Sequence, residues 1–190
     1  AFKDYHGEKA HIERVDFEVV PENGVALMKT VVGELDLVNE TPAGQLALIK
    51  KKYGGYVRLW PYLRIEYIGF NLTKPPFRDN LKLRQAFAWA VDRKGIAETI
   101  HEGAAMPATS ILPPGIPGRD SSIAGYGYDI ERAKRLLAEA GYPGGKGLPP
   151  ITLWYNMNET HQQIAQYIQS PPRSNGPDIR LNSLHRHAQL

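Results

Sequence analysis

Apolar positions in the middle of the chain change period within a few residues, and the change predicts three consecutive elements. Leu63 to Leu72 is rich in β-branched and aromatic residues and is bounded by Pro61 and by Pro75-Pro76, the pattern of a strand. Leu83, Ala86, Phe87, Ala90 and Val91 then recur at helical spacing and give one apolar face. Asp79 is expected to cap this helix, its carboxylate accepting from the free N–H groups of the first turn. Asp92 is expected to cap a second helix, with Val91 and Ile96 placed as a hydrophobic staple. Gly103 stands where a left-handed residue is wanted after that helix.

The same reading extends in both directions. Residues 1–11 are polar and without period, a loop entering the fold. Ile12 to Val20 alternates in part, with Val15, Phe17 and Val19 on one face, and reads as a strand closed by Pro21. Asn23 to Gly33 is helical by spacing, with an apolar stripe of Val25, Met28, Val31 and Val32, and a short strand Leu35–Val38 follows. Thr41 or Pro42 opens another helix, with Leu46, Ile49 and Tyr53 inward and Gly54-Gly55 ending it; Val57 to Trp60 is a further short strand. Met106 to Tyr128 holds four prolines and four glycines, too many for regular elements. Asp129 caps a helix that carries a Glu131–Arg135 pair at i,i+4 and ends at Gly141. Ile151 to Tyr155 reads as a strand and Glu159 to Gln169 as a helix, broken by Ser170-Pro171-Pro172-Arg173 because proline lacks the N–H. Asn175-Gly176 and Asp178 to Leu181 then form a turn and a strand. Alternating strands and helices predict an α/β layer architecture.

Several of these stretches, taken in order, resemble the family 5 solute-binding proteins of ABC importers, the peptide and nickel receptors. They are GELDLV at 33–38, GFN at 69–71, PPF at 75–77, LRQAFAWAVDR at 83–93 and YDIERAKRLLAEAGYP at 128–143. The resemblance implies a two-lobed α/β fold of the type II periplasmic binding protein kind, represented in part, since family members are much longer. It implies that residues 1–70 belong to the first lobe and 71–170 to the second, with strand 63–72 crossing between them at the base of the cleft and 171–190 diverging from the family pattern. It also implies that the Pro/Gly loop packs on the second lobe. The function it implies is capture of a short peptide or similar small solute by lobe closure, followed by delivery to an ABC permease in the membrane. The location it implies is periplasmic or extracellular, including a membrane-tethered lipoprotein. Tyr67 and Asn71, on the crossover strand, are the candidate ligand-binding residues. The alternative is a truncated piece without solute binding that acts as an interaction or structural domain and forms an oligomer.

Composition narrows the remaining classes. The chain has 190 residues, 42% hydrophobic and 23% charged, enough for one or two domains with a core. The 23 basic and 20 acidic residues balance too closely to point to nucleic acid or a membrane surface. Lys50-Lys51-Lys52 reads as a solvated helix end. There are no cysteines, which excludes disulfides, zinc thiolates and thiol catalysis. No apolar run reaches the roughly 18 residues of a membrane span, and no charged-then-apolar leader opens the chain; for an exported protein the leader has been removed or lies outside it.

Catalytic and metal chemistry find little support. Gly145-Lys146 has Ala140 where a phosphate loop needs its first glycine and Gly147 where it needs Ser or Thr. No serine sits in a G-x-S-x-G turn; Ser110, Ser121 and Ser122 lie in the Pro/Gly loop. Glu98 and His101 share one helix and His185 and His187 lie near the C-terminus, but two ligands do not make a site. No enzyme, cofactor or metal is expected. Of the aromatics Trp60, Tyr62, Tyr67, Phe70 and Trp89, the last lies between apolar neighbours and is expected in the core.

Overall fold

The computed structural model describes residues 6–7, 11–60, 62–170 and 179–184. Most of the entering loop at 1–11, Pro61, the Pro171-Pro172 break, the Asn175-Gly176 turn, and His185 and His187 lie outside the described residues. The chain divides into two compact units, Ala1–Pro42 and Ala43–Leu190.

Among its described residues the first unit contains one helix, α1 (Asn23–Val31). Its buried side chain is Ala26, whereas Val25, Met28, Val31 and Val32 of the expected stripe are all exposed. Lys29 lies against Glu18 and within 3.8 Å of Glu34. The expected strands Ile12–Val20 and Leu35–Val38 do not form. Phe17 and Val19 are 91% and 89% exposed, so alternation here is not answered by a buried face. A strand needs a neighbour's backbone to complete its hydrogen bonds, and neither segment has one among the described residues.

The described residues of the second unit form five helices and a parallel strand pair. They are α2 (Leu46–Tyr53), α3 (Leu81–Ala90), α4 (Arg93–Thr99), α5 (Ile130–Glu139), β1 (Ile151–Asn156), α6 (Glu159–Gln169) and β2 (Ile179–Leu184), with a short 3-10 turn at Pro143–Gly145. β1 and β2 pair in parallel from Ile151 opposite Ile179 to Asn156 opposite Leu184, joined through α6 as a β-α-β unit. The core lies where α3 meets α5: Leu83 is fully buried, and Phe77, Ala86 and Leu137 close around it. The strands expected at Val57–Trp60 and Leu63–Leu72 are irregular and unpaired among the described residues, for the same lack of a neighbouring strand.

Local chemistry accounts for the helix starts. Asp92, Asp129 and Asn158 accept from the backbone N–H groups of Gly95 (2.8 Å), Arg132 (2.8 Å) and His161 (3.1 Å). α3 starts differently from expectation. Asn80, not Asp79, is its cap, accepting from Leu83 N at 3.0 Å and donating through Nδ2 to Ala140 O at 3.1 Å. Asp79 is turned out of the cap by a positive φ of 58° and lies beside Arg78. α2 begins at Leu46, later than Thr41 or Pro42, and has no cap from its own sequence; the Glu102 carboxylate, from far along the chain, accepts from Leu46 N and Ala47 N. Gly103 has the expected left-handed φ of 78° and returns its N–H to Ala97 O. Glu131 pairs with Lys134 at i,i+3 rather than with Arg135.

Candidate functional site

Residues 63–72 carry the side chains on which a site would rest, and their attachment is uneven. Phe70 is the anchor. Its ring lies 4.7 Å from Phe77 and 6.3 Å from Phe87, and Phe77 and Phe87 meet edge to face at 5.3 Å. This triad ties the GFN sequence to the α3–α5 core. Tyr67, three residues earlier, is 74% exposed. Asn71 is exposed as well, and its Oδ1 accepts from Thr73 N (2.9 Å) and Thr73 Oγ1 (2.7 Å). That local turn fixes the Asn71 side chain and leaves its Nδ2 group as a donor.

Beside the anchor is a cavity of about 300 Å³. Phe70, Leu72, Leu81, Ala88 and Tyr126 supply apolar wall, and Arg84 and Gln85 supply polar groups. Arg84 donates to Phe77 O at 2.5 Å, which holds its guanidinium against the turn before α3. The far wall is held by the end of the Pro/Gly loop: Tyr126 meets Trp89 edge to face at 5.8 Å, Arg93 donates to Tyr126 O at 3.3 Å, and Asp129 N donates to Trp89 O at 3.0 Å. Trp89 is partly buried, with the Arg132 guanidinium 4.0 Å over its ring.

Electrostatics single out Glu66, which the sequence reading passed over. Arg64 lies 3.2 Å from it, His101 3.5 Å and His161 3.8 Å. The hydrogen bond with His101 holds the Glu66 carboxyl below its ordinary range against the opposing effect of burial, and the charges of His101, Arg64 and His161 add to it. No spacing rule could have found this group, because its members come from three separate elements. Glu98 and His101 do not share a helix as expected: His101 lies past the end of α4 and turns to Glu66, while Glu98 within α4 pairs with Lys94 at 3.6 Å.

The other candidates are placed in local structure. Gly145 and Lys146 form the end of the 3-10 turn, Ser110 Oγ donates to Leu112 O, and Ser122 caps back onto Asp120. Among the described residues no cluster of three or more His, Cys, Asp or Glu is arranged to hold a metal ion. No helix among them is long and apolar enough to cross a membrane.

Comparison with known proteins gives a consistent picture. The model of the middle region of the bacterial extracellular solute-binding proteins, family 5, matches residues 1–189. The chain is 38% identical over 145 residues to heme-binding protein A of Haemophilus influenzae, covering 76% of this chain and 26% of that protein. It is 31% identical over 186 residues to the oligopeptide-binding protein OppA of Bacillus subtilis, covering 93% of this chain and 34% of that one. A periplasmic oligopeptide-binding protein from Borrelia burgdorferi superposes with a TM-score of 0.70 at 27% identity, over 88% of this chain and 33% of the other. The chain thus spans about a quarter to a third of the length of the curated relatives it matches. Its fold is part of the two-lobed α/β fold of the type II periplasmic binding proteins.

Proposed function

This chain belongs to the bacterial extracellular solute-binding proteins of family 5, and from that membership we propose that it supplies part of a receptor that captures short peptides outside the cytoplasm. The receptor holds its solute between lobes that close about residues 63–72 and passes it to an ABC permease; it binds and does not catalyse. Residues 1–70 contribute to the first lobe and 71–170 to the second. Tyr67 and Asn71 contact the solute.

The observation that carries this reading is the contrast along one short segment. Phe70 is clamped into the core, while Tyr67 and the Asn71 amide on either side of it are exposed. A fixed base with outward hydrogen-bonding groups suits a peptide backbone, whose amides offer donors and acceptors independent of side chain.

Titration calorimetry with di- to pentapeptides tests it. Saturable binding is expected, weakened about fivefold by Tyr67→Ala or Asn71→Ala, since one hydrogen bond is worth about 1 kcal/mol. Binding unchanged in both variants would overturn the residue assignment. Saturation by heme with none by peptides would overturn the solute class.

A second reading has its own observation. Phe17, Tyr56, Trp60 and Tyr62 are each at least 78% exposed, as expected of surface that another polypeptide covers. On that reading the chain is an interaction domain without solute binding, and it forms stable oligomers while peptides give no heat.

A further inference from the structure

α3 carries a second stripe on the side opposite its core. Leu81, Arg84, Gln85 and Ala88 recur at helical spacing, two positions out of step with Leu83, Ala86, Phe87 and Ala90, so the two sets lie on opposite faces. The second stripe lines the cavity of about 300 Å³ together with Phe70, Leu72 and Tyr126. Leu72, Leu81 and Tyr126 are 55%, 56% and 45% exposed, so apolar wall stands open to solvent.

The walls are held in place from outside the cavity. Phe70 is fixed by the Phe77 and Phe87 rings. Tyr126 is fixed by the Trp89 ring and by Arg93, whose guanidinium also donates to Ala88 O at 3.1 Å. Arg84 is the one charged side chain in the lining, and no acidic side chain joins it there among the described residues. It is half-buried, and donating one N–H to Phe77 O leaves the rest of its guanidinium fork to offer. Gln85, the next residue on the same face, adds an amide donor.

Size and charge narrow the ligand. An apolar cavity of about 150 Å³ takes up benzene, so this one has room for a branched or aromatic group with a polar head. One guanidinium balances one negative charge. A doubly charged phosphate would leave charge unpaired against apolar wall, and an ammonium group would be repelled. Walls already fixed lose little freedom when a ligand enters.

We propose that this cavity binds a small apolar monocarboxylate, with its hydrocarbon part against Phe70, Leu72, Leu81 and Tyr126 and its carboxylate on the Arg84 guanidinium beside the Gln85 amide. A free organic acid and the C-terminal residue of a peptide offer the same chemistry. The site does not depend on Tyr67 or Asn71, so it stands or falls separately from peptide capture at those residues.

Amide chemical-shift titrations of the whole chain test it, with hydrocinnamate as the free acid, N-acetylphenylalanine as the peptide end and hydrocinnamamide as the uncharged control. Saturable shifts over residues 81–88 and at Tyr126 are expected with at least one acid, at a Kd on the order of 1 mM. Saturation by hydrocinnamate alone assigns the site to free acids, by N-acetylphenylalanine alone to peptide ends, and by both to either source. The amide, and the acids with Arg84→Gln, should bind about tenfold more weakly, since a hydrogen bond to a charged group is worth at least that factor. Should Arg84→Gln fail to fold, Ala88→Leu fills the cavity with another good helix former and should abolish saturation while keeping Arg84. Shifts that never saturate with either acid overturn the proposal. So does an affinity for hydrocinnamamide equal to that for hydrocinnamate, or acid binding that is unchanged in either variant.

Discussion

Asp79 and Asn80 carry side chains with the same capping chemistry, one residue apart, and only Asn80 uses it. The positive φ of Asp79 directs its carboxylate away from the helix, while Asn80 accepts from Leu83 N and donates to Ala140 O. Asn80→Ala should therefore cost about 1–2 kcal/mol in urea denaturation, from a lost cap and a lost link to the end of α5. Asp79→Ala should change stability by less than about 0.5 kcal/mol, and Asp79→Gly should be neutral or stabilising, because glycine adopts that φ freely. Equal losses at 79 and 80 would contradict the assignment. Glu66 adds a pH dependence of the same local origin. Its carboxyl is held below the ordinary range, so its contribution is present above the unfolded value, roughly 4.3, and lost as pH falls through the lowered folded value. Melting curves of the native chain and Glu66→Gln should converge below that range, and a constant gap down to pH 2 would refute the linkage.

Among the elements, those whose boundaries depend on nearby residues were legible in the sequence. α4, α5 and α6 start at capping residues that act within three positions, and α6 spans the expected Glu159–Gln169. β1 was legible as well, one residue short of its observed end. What could not be read was non-local. The segments at 12–20, 35–38, 57–60 and 63–72 have strand-like composition, but composition cannot supply the neighbouring backbone that a ladder needs. The start of α2 was missed for a related reason, since its cap comes from Glu102. Of the site, Tyr67 and Asn71 were singled out through the resemblance, whereas the Glu66 group joins residues too far apart for any spacing to reveal. α4 offers a test in which two effects oppose. A Cβ on Gly95 would lie 2.1 Å from Tyr167 Oη and 2.5 Å from Asp92 Oδ2. Alanine gains about 1 kcal/mol of helix propensity over glycine, but the crowding costs about 1–3 kcal/mol and disturbs the Asp92 cap, worth about 1 kcal/mol more. Gly95→Ala should be destabilising in thermal unfolding; an increase in Tm would show that Tyr167 moves aside without cost.

For the whole molecule, packing is concentrated around α3 and α5 and thin elsewhere. Leu83 is fully buried at the centre of the one cluster that joins Phe77, Ala86 and Leu137, so Leu83→Ala should cost about 3–5 kcal/mol and abolish cooperative unfolding of the second unit. Large apolar side chains remain exposed along 12–19 and 56–72. If that surface is an interface, as on the second reading, sedimentation velocity should show self-association that grows with concentration, and a chain that stays monomeric to high concentration would contradict that reading. Native mass spectrometry of the purified chain after mixing with short peptides tests the central claim of solute capture most directly. The expected result is a 21.2 kDa chain carrying one peptide-sized adduct, lost when Tyr67 and Asn71 are both replaced by alanine. A chain that stays bare with every peptide offered would contradict it.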